Sequence, residues 1–217
     1  MEVKYYNEPW EHVVVDNFFP EDIYLEISNS KYQFKEFASF AFADSSQNNL
    51  YCMNGKFMSR GRILKKKHSS HPRFNIKDIN KVFPELCESY LKWNSYFYSN
   101  DTFKNIFESL VSKCSFDDTT HMSGYQLQPK NYTYQIHDEN IEKILSVVVY
   151  IGPEENNGTY LYEDFRQEYD NPSKIVEWKP NRAFIFSGKQ NLTWHAFSAN
   201  NTEDYRCTFA AFSYKKD

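Results

Sequence analysis

The sequence predicts an α+β domain in which helices pack against a β-rich C-terminal half. Amphipathic stripes at helical spacing run through residues 84–110. From about residue 121 onward the pattern changes to short strand-like segments separated by turn residues. One of these segments, residues 144–151, is an apolar run rich in β-branched side chains, which is typical of a buried strand. A chain of 217 residues is long enough to bury a sizeable core within one domain.

The N-terminal segment is predicted to form a strand, a turn and then a helix. The stretch that begins at His12 reads as an apolar strand, and Pro20 ends it. Glu21 and Asp22 follow, and acidic groups there favour the positive end of a helix dipole. We therefore expect the first helix to begin directly after Pro20.

Residues 73–113 are predicted to be mainly helical, in separate pieces. Ile76, Ile79 and Phe83 make a first short stripe. Pro84 cannot lie deep inside a helix, so it is expected to open a new one. Two further stripes follow, made by Leu86, Tyr90, Trp93 and Phe97 and then by Phe103, Ile106, Phe107 and Leu110. The stripes are interpreted as packing surfaces.

A single domain is expected to span residues 1–217. Its helical support region covers about residues 18–115, and its core covers about residues 121–215. The short strands and turns of this core indicate a jelly roll, also called a double-stranded β-helix. Because aromatic residues make up 18% of the chain, the core and any cavity within it should be rich in aromatic rings.

Composition narrows the classes of function. A net charge of −4 argues against a protein that coats nucleic acid, so a nucleic-acid partner is not expected. The N-terminus lacks a secretory signal, and no apolar run approaches the length of a membrane span. These features predict a cytoplasmic protein without a membrane partner. Its cysteines show no Cys-x-x-Cys spacing and are expected to be free thiols; they are Cys52, Cys87, Cys114 and Cys207.

Three residues have the composition of a metal site. His137 and Glu139 lie two positions apart, and His195 follows 58 residues after the first histidine. Two imidazoles and one carboxylate on one face of a metal leave its other positions open, which is the arrangement of non-haem iron(II) oxygenases. The sequence therefore predicts His137, Glu139 and His195 as catalytic metal ligands.

Strand geometry explains the spacing of these residues. If residues 134–139 are extended, His137 and Glu139 point to the same face, roughly 6.6 Å apart along the chain. Asp138 would point to the opposite face, so Glu139 is the preferred carboxylate ligand. Arg206 follows on a later strand-like segment and would hold a carboxylate co-substrate with its charged fork. Cys207 is expected to face the opposite side from Arg206.

The stretch from about residue 124 to 214 resembles the 2-oxoglutarate/iron(II) dioxygenases, in particular the prolyl-hydroxylase-like branch. The order and the spacing of several short motifs carry the resemblance. These motifs are His137-Asp138-Glu139, Lys143, Tyr150-Ile151, Asn157-Gly158-Thr159, Pro180-Asn181-Arg182 with the apolar residues after it, Trp194-His195 and Arg206-Cys207-Thr208.

The resemblance implies a cofactor, a co-substrate and a reaction. Iron(II) would be held by the predicted triad. 2-Oxoglutarate would chelate iron through its 2-oxo acid end, and its far carboxylate would pair with Arg206, assisted by Thr208 and Tyr150. Oxygen would complete the site, and hydroxylation of a C–H bond would accompany conversion of 2-oxoglutarate to succinate and carbon dioxide. The protein would orient the substrate and exclude competing reactions.

The chain departs from the family pattern at two positions near the first histidine. Glu139 stands where the family mostly has aspartate, and Asn131 stands where many members have glycine. The basic run of residues 60–67 is interpreted as a solvated loop or helix face, with a loop that grips a phosphate or an acidic partner as the alternative. The segment 162–174 is a second candidate for contact with substrate. Four aromatic residues could either line the cavity or belong to the core, and they are Tyr125, Tyr132, Tyr134 and Trp194.

Three functions remain open. The first is hydroxylation of a peptidyl residue, for which prolyl is the guess that the family suggests. The second is oxygenation of a small molecule such as an amino acid, a sugar or a nucleotide. The third is a non-catalytic jelly-roll binding protein with a degenerate site, and the complete triad together with Arg206 argues against it.

Overall fold

The computed structural model describes residues 1–41, 48–53, 56–60, 73–75, 81, 83–112, 114–139, 142–201 and 205–216. Side chains are described in these ranges except at 35–41, 48–53, 56–60 and 73–75. The predictions for the basic run 60–67 and for the stripe at Ile76 and Ile79 therefore lie outside the described side chains.

The described residues form three helices, a short 3₁₀ turn and thirteen strands. The helices are α1 (Glu21–Ala41), α2 (Pro84–Ser99) and α3 (Asp101–Leu110), and the turn is Phe116–Asp118. The strands are β1 (Glu2–Tyr6), β2 (His12–Asp16), β3 (Asn48–Met53), β4 (Lys56–Arg60), β5 (Arg73–Asn75), β6 (Thr119–Gln128), β7 (Thr133–His137), β8 (Lys143–Gly152), β9 (Thr159–Leu161), β10 (Lys174–Val176), β11 (Ala183–Ser187), β12 (His195–Ser198) and β13 (Arg206–Lys215).

The strands form two antiparallel sheets of unequal size. The major sheet has nine strands in the order β1-β2-β11-β8-β13-β6-β3-β4-β5. The minor sheet has four strands in the order β10-β9-β12-β7. Together with the helices they give an α+β architecture, as the sequence predicts. No described helix combines the length and the apolar character that crossing a membrane requires.

Side chains alternate between two layers along the central strands of the major sheet. On one side, Val147, Ile185 and Phe209 join the large core that the helices cover. On the other side, Tyr150 and Phe184 join a smaller cluster with residues of β9 and β10 from the minor sheet. This period of two is the ordinary geometry of a strand. The major sheet is therefore packed between the helical layer and the minor sheet.

The helix predictions are confirmed where the residues are described. Helix α1 begins directly after Pro20, and α2 begins at Pro84. The predicted stripes are buried except for Leu110, which is partly buried, and their residues are Leu86, Tyr90, Trp93, Phe97, Phe103, Ile106 and Phe107. The region predicted as helical support also contains strands, because β3, β4 and β5 extend the major sheet beyond β6. Short strands that gain their partners from distant segments carry little local signal.

A tight turn before β11 holds the segment that leads into α1. Asn181 adopts the left-handed conformation with φ of 60° and is 8% exposed. Its side chain accepts a hydrogen bond from the backbone N–H of Phe19 at 2.9 Å and donates one to the carbonyl of Phe19 at 2.9 Å. Asp16, at the end of β2, accepts from the Arg182 guanidinium at 2.6 Å, and that contact lowers the pKa of Asp16 to about 2. These contacts tie the N-terminal strand to the centre of the sheet.

Replacement of Asn181 should therefore lower the free energy of unfolding through two separate effects, the loss of hydrogen bonds and the cost of the left-handed backbone conformation. Asn181→Ala loses both hydrogen bonds to Phe19 and places a Cβ-bearing residue without local support in the left-handed region, so a loss of about 2–4 kcal/mol in the free energy of unfolding is expected. Asn181→Gly keeps the backbone freedom and should lose roughly 1 kcal/mol less. Urea unfolding of both variants measures the difference. Equal losses of stability would contradict a cost of the left-handed conformation for alanine.

Candidate active site

Two histidines from neighbouring strands of the minor sheet face each other. His137 ends β7 and His195 begins β12, and the two residues are direct partners in the antiparallel register. Their ring centroids lie 4.2 Å apart. Phe186 of the major sheet contacts the His195 ring at 4.9 Å, so the pair faces the space between the sheets. The pairing of β7 with β12 thus brings together two imidazoles that are 58 positions apart in the sequence.

The backbone sets the tautomer of both rings. Nδ1 of His137 lies 2.9 Å from the carbonyl of Gln135, and Nδ1 of His195 lies 2.8 Å from the carbonyl of Thr193. A carbonyl only accepts hydrogen bonds, so each Nδ1 carries the proton and each Nε2 keeps its lone pair. Backbone contacts of this kind commonly orient metal-ligating histidines. Both rings are thus prepared to donate Nε2 to a cation.

Burial keeps the two imidazoles neutral. Desolvation, and next the charge of His195, lowers the pKa of His137 to about 3. Desolvation also lowers the pKa of His195, although the nearby Glu139 carboxylate acts in the opposite direction. Neutral imidazole is the form that binds metals.

The carboxylate of Glu139 is buried beside the pair and is held by a lysine and a serine. It accepts from Lys143 Nζ at 2.5 Å and from Ser146 Oγ at 2.5 Å. Burial alone would raise its pKa, but the Lys143 ammonium and these hydrogen bonds outweigh burial, so the pKa lies below the usual value. Asp138 instead accepts from the backbone N–H of Asn191 at 2.7 Å. The two carboxylates therefore have different partners, although both residues lie after the end of β7.

The donor set suits a divalent cation, but its carboxylate is turned toward Lys143. Among the described residues, no group of three histidine, cysteine or acidic side chains is gathered at metal-binding geometry. The histidine pair provides two nitrogen donors, and Glu139 is the nearest carboxylate with a Coulombic contact to both. To complete a metal site, Glu139 would exchange its contact with Lys143 for the metal.

Arg206 is buried between the sheets at the start of β13. It is 1% exposed, and its guanidinium carbon lies 4.3 Å from the ring centroid of Phe197 and 5.0 Å from that of Trp178. Phe197 lies two residues after His195 on the same strand, which is roughly 6.7 Å along β12. The guanidinium and the histidine pair thus belong to one interior, separated by about one repeat of the strand.

The charge of Arg206 has few partners. Within the described residues its contacts to oxygen are long: Nε lies 3.5 Å from the carbonyl of Asn157, and Nη1 lies 3.4 Å from Oε1 of Gln128. Its Nη2 is buried without a hydrogen-bond partner among them. Desolvation lowers the pKa of Arg206 to about 10. A buried cation with an unpaired donor is the arrangement that an incoming carboxylate would complete.

The two residues predicted to assist Arg206 lie near it but are already hydrogen-bonded. The Tyr150 hydroxyl meets Thr159 Oγ1 at 2.7 Å, and its ring centroid lies 5.6 Å from the guanidinium carbon. Thr208 Oγ1 donates to Gln126 Oε1 at 3.3 Å, from the same side of β13 as Arg206. Cys207 joins the helix-side core, so the predicted alternation on this strand is confirmed.

The predicted aromatic walls fall into two groups. Tyr134 stacks on Phe197 at 5.4 Å and meets the His137 ring edge-on at 4.3 Å, so it does border the site. Tyr132 lies 6.1 Å from Phe197. Tyr125 belongs to the core on the helix side of the sheet, the second of its two predicted positions, and its hydroxyl contacts Ser30.

Hydrogen bonds from its own side chains hold the segment 162–174 in one conformation. Gln167 Oε1 accepts from the backbone N–H groups of Glu163 at 2.6 Å and Asp164 at 3.1 Å. Arg166 binds the Asp164 carboxylate through two nitrogens, at 2.9 and 2.5 Å. The exposed Phe165 leans on Trp194, with ring centroids 5.3 Å apart. The loop has internal contacts that a freely opening lid would have to break.

Sequence reasoning missed three residues of the site, Gln128, Trp178 and Phe197. Gln128 is the register partner of Arg206 on β6, and its Nε2 is buried without a partner among the described residues. Trp178 stacks on Tyr150 at 4.5 Å. Only Phe197 had a usable signal, since it lies two positions after His195 and so shares its face.

Comparisons with known proteins found similar solved structures. No family model matches the chain, and no curated protein matches it. One similar solved structure is a prolyl-4-hydroxylase from Pseudomonas putida, with 10% sequence identity and a TM-score of 0.49 over 94% of this chain and 92% of that one. Another is a prolyl hydroxylase from Trichoplax adhaerens in complex with a hypoxia inducible factor oxygen degradation domain peptide fragment, with 13% identity and a TM-score of 0.47 over 93% and 82% of the two chains.

The chain is similar to prolyl hydroxylases in structure. At these identities and TM-scores the similarity assigns neither a substrate nor a cofactor to this chain. Function has to be argued from the chain's own residues.

The buried Arg206 and the partly buried Arg182 should respond to substitution in opposite directions. Arg206→Met removes a charge that has no ionic partner among the described residues, and the free energy of unfolding should stay unchanged or increase. Arg182→Met removes the guanidinium that holds the Asp16 carboxylate, and it should cost about 1–3 kcal/mol. Thermal unfolding of both variants measures this. A larger loss for Arg206→Met would identify its guanidinium as a structural anchor.

Acid should destabilise the metal-free protein partly through His137. Its pKa is about 3 when folded and close to 6.5 when unfolded, so the unfolded chain binds more protons between these values. Stability contributed by the neutral ring is fully present above about pH 6.5 and declines as the pH falls toward 3. His137→Gln should therefore show a flatter loss of stability across this window in urea unfolding at several pH values. Parallel curves for both proteins would refute this assignment.

Proposed function

We propose that this protein is a 2-oxoglutarate- and O₂-dependent iron(II) oxygenase that hydroxylates a C–H bond, built on a jelly-roll core. The proposal is based on one observation: the histidine pair and the buried Arg206 both lie in the space between the two sheets. Neutral imidazoles with free Nε2 lone pairs suit a divalent metal, and an underpaired guanidinium suits a carboxylate. This class of reaction requires both a divalent metal and a dicarboxylate co-substrate.

Each residue has a physical role in this proposal. His137 and His195 would hold the metal through Nε2, and Glu139 would provide the third ligand. Arg206 would bind the far carboxylate of 2-oxoglutarate, with Thr208 and Tyr150 shaping that end of the cavity. Iron(II) with bound 2-oxoglutarate would supply the activation of oxygen that side chains cannot provide.

The surrounding side chains would orient the ligands and exclude water. Tyr134 and Phe197 stack beside the histidine pair and give that part of the interior an apolar wall. Lys143, with its ammonium 3.9 Å from the Phe212 ring centroid, keeps the Glu139 carboxylate ionised, which is the form that binds metal. A dry, aromatic-lined interior strengthens electrostatic contacts with bound ligands.

A peptidyl substrate, prolyl in particular, is the first candidate for the hydroxylated partner. One of the two similar structures is described in complex with a peptide fragment, and the motif resemblance points to the same branch. A small-molecule substrate is the second candidate. Turnover of 2-oxoglutarate with proline-containing peptides, and in parallel with free amino acids, sugars and nucleotides, separates the two.

The proposal is tested by adding iron(II) to the protein and 2-oxoglutarate without oxygen. A weak visible charge-transfer absorption is expected, because the 2-oxo acid end would chelate the metal. His195→Ala should lose the absorption, since it removes one nitrogen ligand, and Glu139→Ala should weaken it. His121→Ala provides a matched control, because the half-buried His121 lies away from the pair and bonds to Thr119 and Ser213. If the wild type neither absorbs nor retains iron, the oxygenase assignment fails.

A further inference from the structure

Two buried hydrogen-bond donors without partners lie on adjacent strands. Arg206 and Gln128 are register partners in the pairing of β13 with β6. Gln128 is 0% exposed and Arg206 is 1% exposed. Among the described residues, neither Nε2 of Gln128 nor Nη2 of Arg206 has a hydrogen-bond partner. Each such group costs about 1–3 kcal/mol when left unpaired, so two of them side by side require an explanation.

The contact between the two side chains fixes the orientation of the amide. Nη1 of Arg206 lies 3.4 Å from Oε1 of Gln128. A guanidinium only donates, so the oxygen end of the amide has to face it, and the opposite assignment would place two donors together. The amide NH₂ and Nη2 therefore remain as two donors without a partner among the described residues, on side chains that contact each other. A carboxylate has two oxygens in one plane and can accept from both.

The surroundings favour a flat anion. The guanidinium carbon lies 4.3 Å from the ring centroid of Phe197 and 5.0 Å from that of Trp178. The Phe197 ring has no hydrogen-bonding group, and Nε1 of Trp178 already donates to the carbonyl of Pro153 at 2.9 Å, so neither ring pairs with an oxygen that leaves the plane of the two donors. A tetrahedral phosphate would direct oxygens toward the rings without partners, which is costly in a buried site. A buried water could accept one donor but would leave the charge of Arg206 without an anion.

We propose that Gln128 is a second anchor, beside Arg206, for one carboxylate of the co-substrate, and that this pair selects a dicarboxylate over a phosphate. The assignment of the ligand as 2-oxoglutarate rests on the proposed function, whereas the two-donor carboxylate site does not. Gln128 binds the ligand directly, and it also holds the guanidinium in position through Oε1.

Glutarate tests the site without any metal. It is a dicarboxylate of the same chain length as 2-oxoglutarate but lacks the 2-oxo group that would chelate iron. Calorimetric titration of glutarate into the metal-free wild type should show binding. Gln128→Leu should weaken it about tenfold or more, the effect of losing one hydrogen bond to a charged group. Inorganic phosphate should not displace glutarate at equal concentration, and competition at equal strength would overturn the selectivity.

Gln128→Glu gives an outcome that a purely structural role would not. The substitution places a carboxylate beside Arg206, so the chain itself fills the position of the ligand. Glutarate binding should be lost, while the melting temperature should rise because the buried guanidinium gains an ionic partner. Gln190→Glu makes the same change at an exposed position and should alter neither property. If Gln128→Glu binds glutarate like the wild type, or loses binding only through a lower melting temperature, the proposal is wrong.

The two proposals can fail separately. If glutarate binds and Gln128→Glu abolishes the binding, but 2-oxoglutarate is never consumed, the carboxylate site stands and the oxygenase assignment falls. If 2-oxoglutarate is consumed with the same KM by the wild type and Gln128→Leu, the oxygenase stands and the role of Gln128 falls. A raised KM with unchanged kcat in Gln128→Leu is the result that both proposals expect.

Discussion

The period-two alternation of side chains along β8, β11 and β13 is the constraint on which the rest of the structure depends. Odd-numbered positions such as Val147, Ile185 and Phe209 face the helices, and even-numbered positions such as Tyr150, Phe184 and Arg206 face the minor sheet. A slip of one residue in any of these strands would exchange the two sets. The large apolar core on the helix side makes such a slip unfavourable. Burial on one side thus fixes which polar groups reach the interior on the other.

This alternation explains which features of the site could be predicted from the sequence. The face shared by Arg206 and Thr208, and the opposite face of Cys207, could be predicted because alternation is a local property of one strand. The pairing of Arg206 with Gln128 could not, since the register between β13 and β6 depends on packing across the whole sheet. The same limit leaves Tyr125 open between cavity wall and core in the sequence, because packing determines the side of β6 that faces the helices. Local periodicity predicts faces, whereas only tertiary packing determines neighbours.

The prediction of the histidine pair had a different basis. His137 and His195 were assigned from residue types and spacing, and the structure makes them register partners on adjacent strands. The carboxylate was harder to place, because Glu139 lies after the end of β7, where strand geometry no longer dictates direction. Its partners Lys143 and Ser146 come from the next strand of the chain. The roles of all three residues in metal binding remain predictions.

The buried charges show how the fold separates stability from ligand binding. Arg182 is paired with Asp16, and Lys143 is paired with Glu139, so both cations have anionic partners within the chain. Within the part of the chain that the structure describes, Arg206 contacts mainly aromatic faces. A protein gains little stability from such an unpaired charge, whereas a site for an external anion requires one. This contrast between otherwise similar residues is independent of any resemblance to other proteins.

The ordered loop at residues 162–174 should lower the entropic cost of binding a partner. Gln167 and Asp164 already fix its backbone, and Phe165 already rests on Trp194. The conformational entropy that a mobile segment loses when it covers a ligand is therefore lost here during folding. A partner that contacts this loop would meet a pre-organised surface and would bind with a smaller entropic penalty than one that has to order a flexible lid.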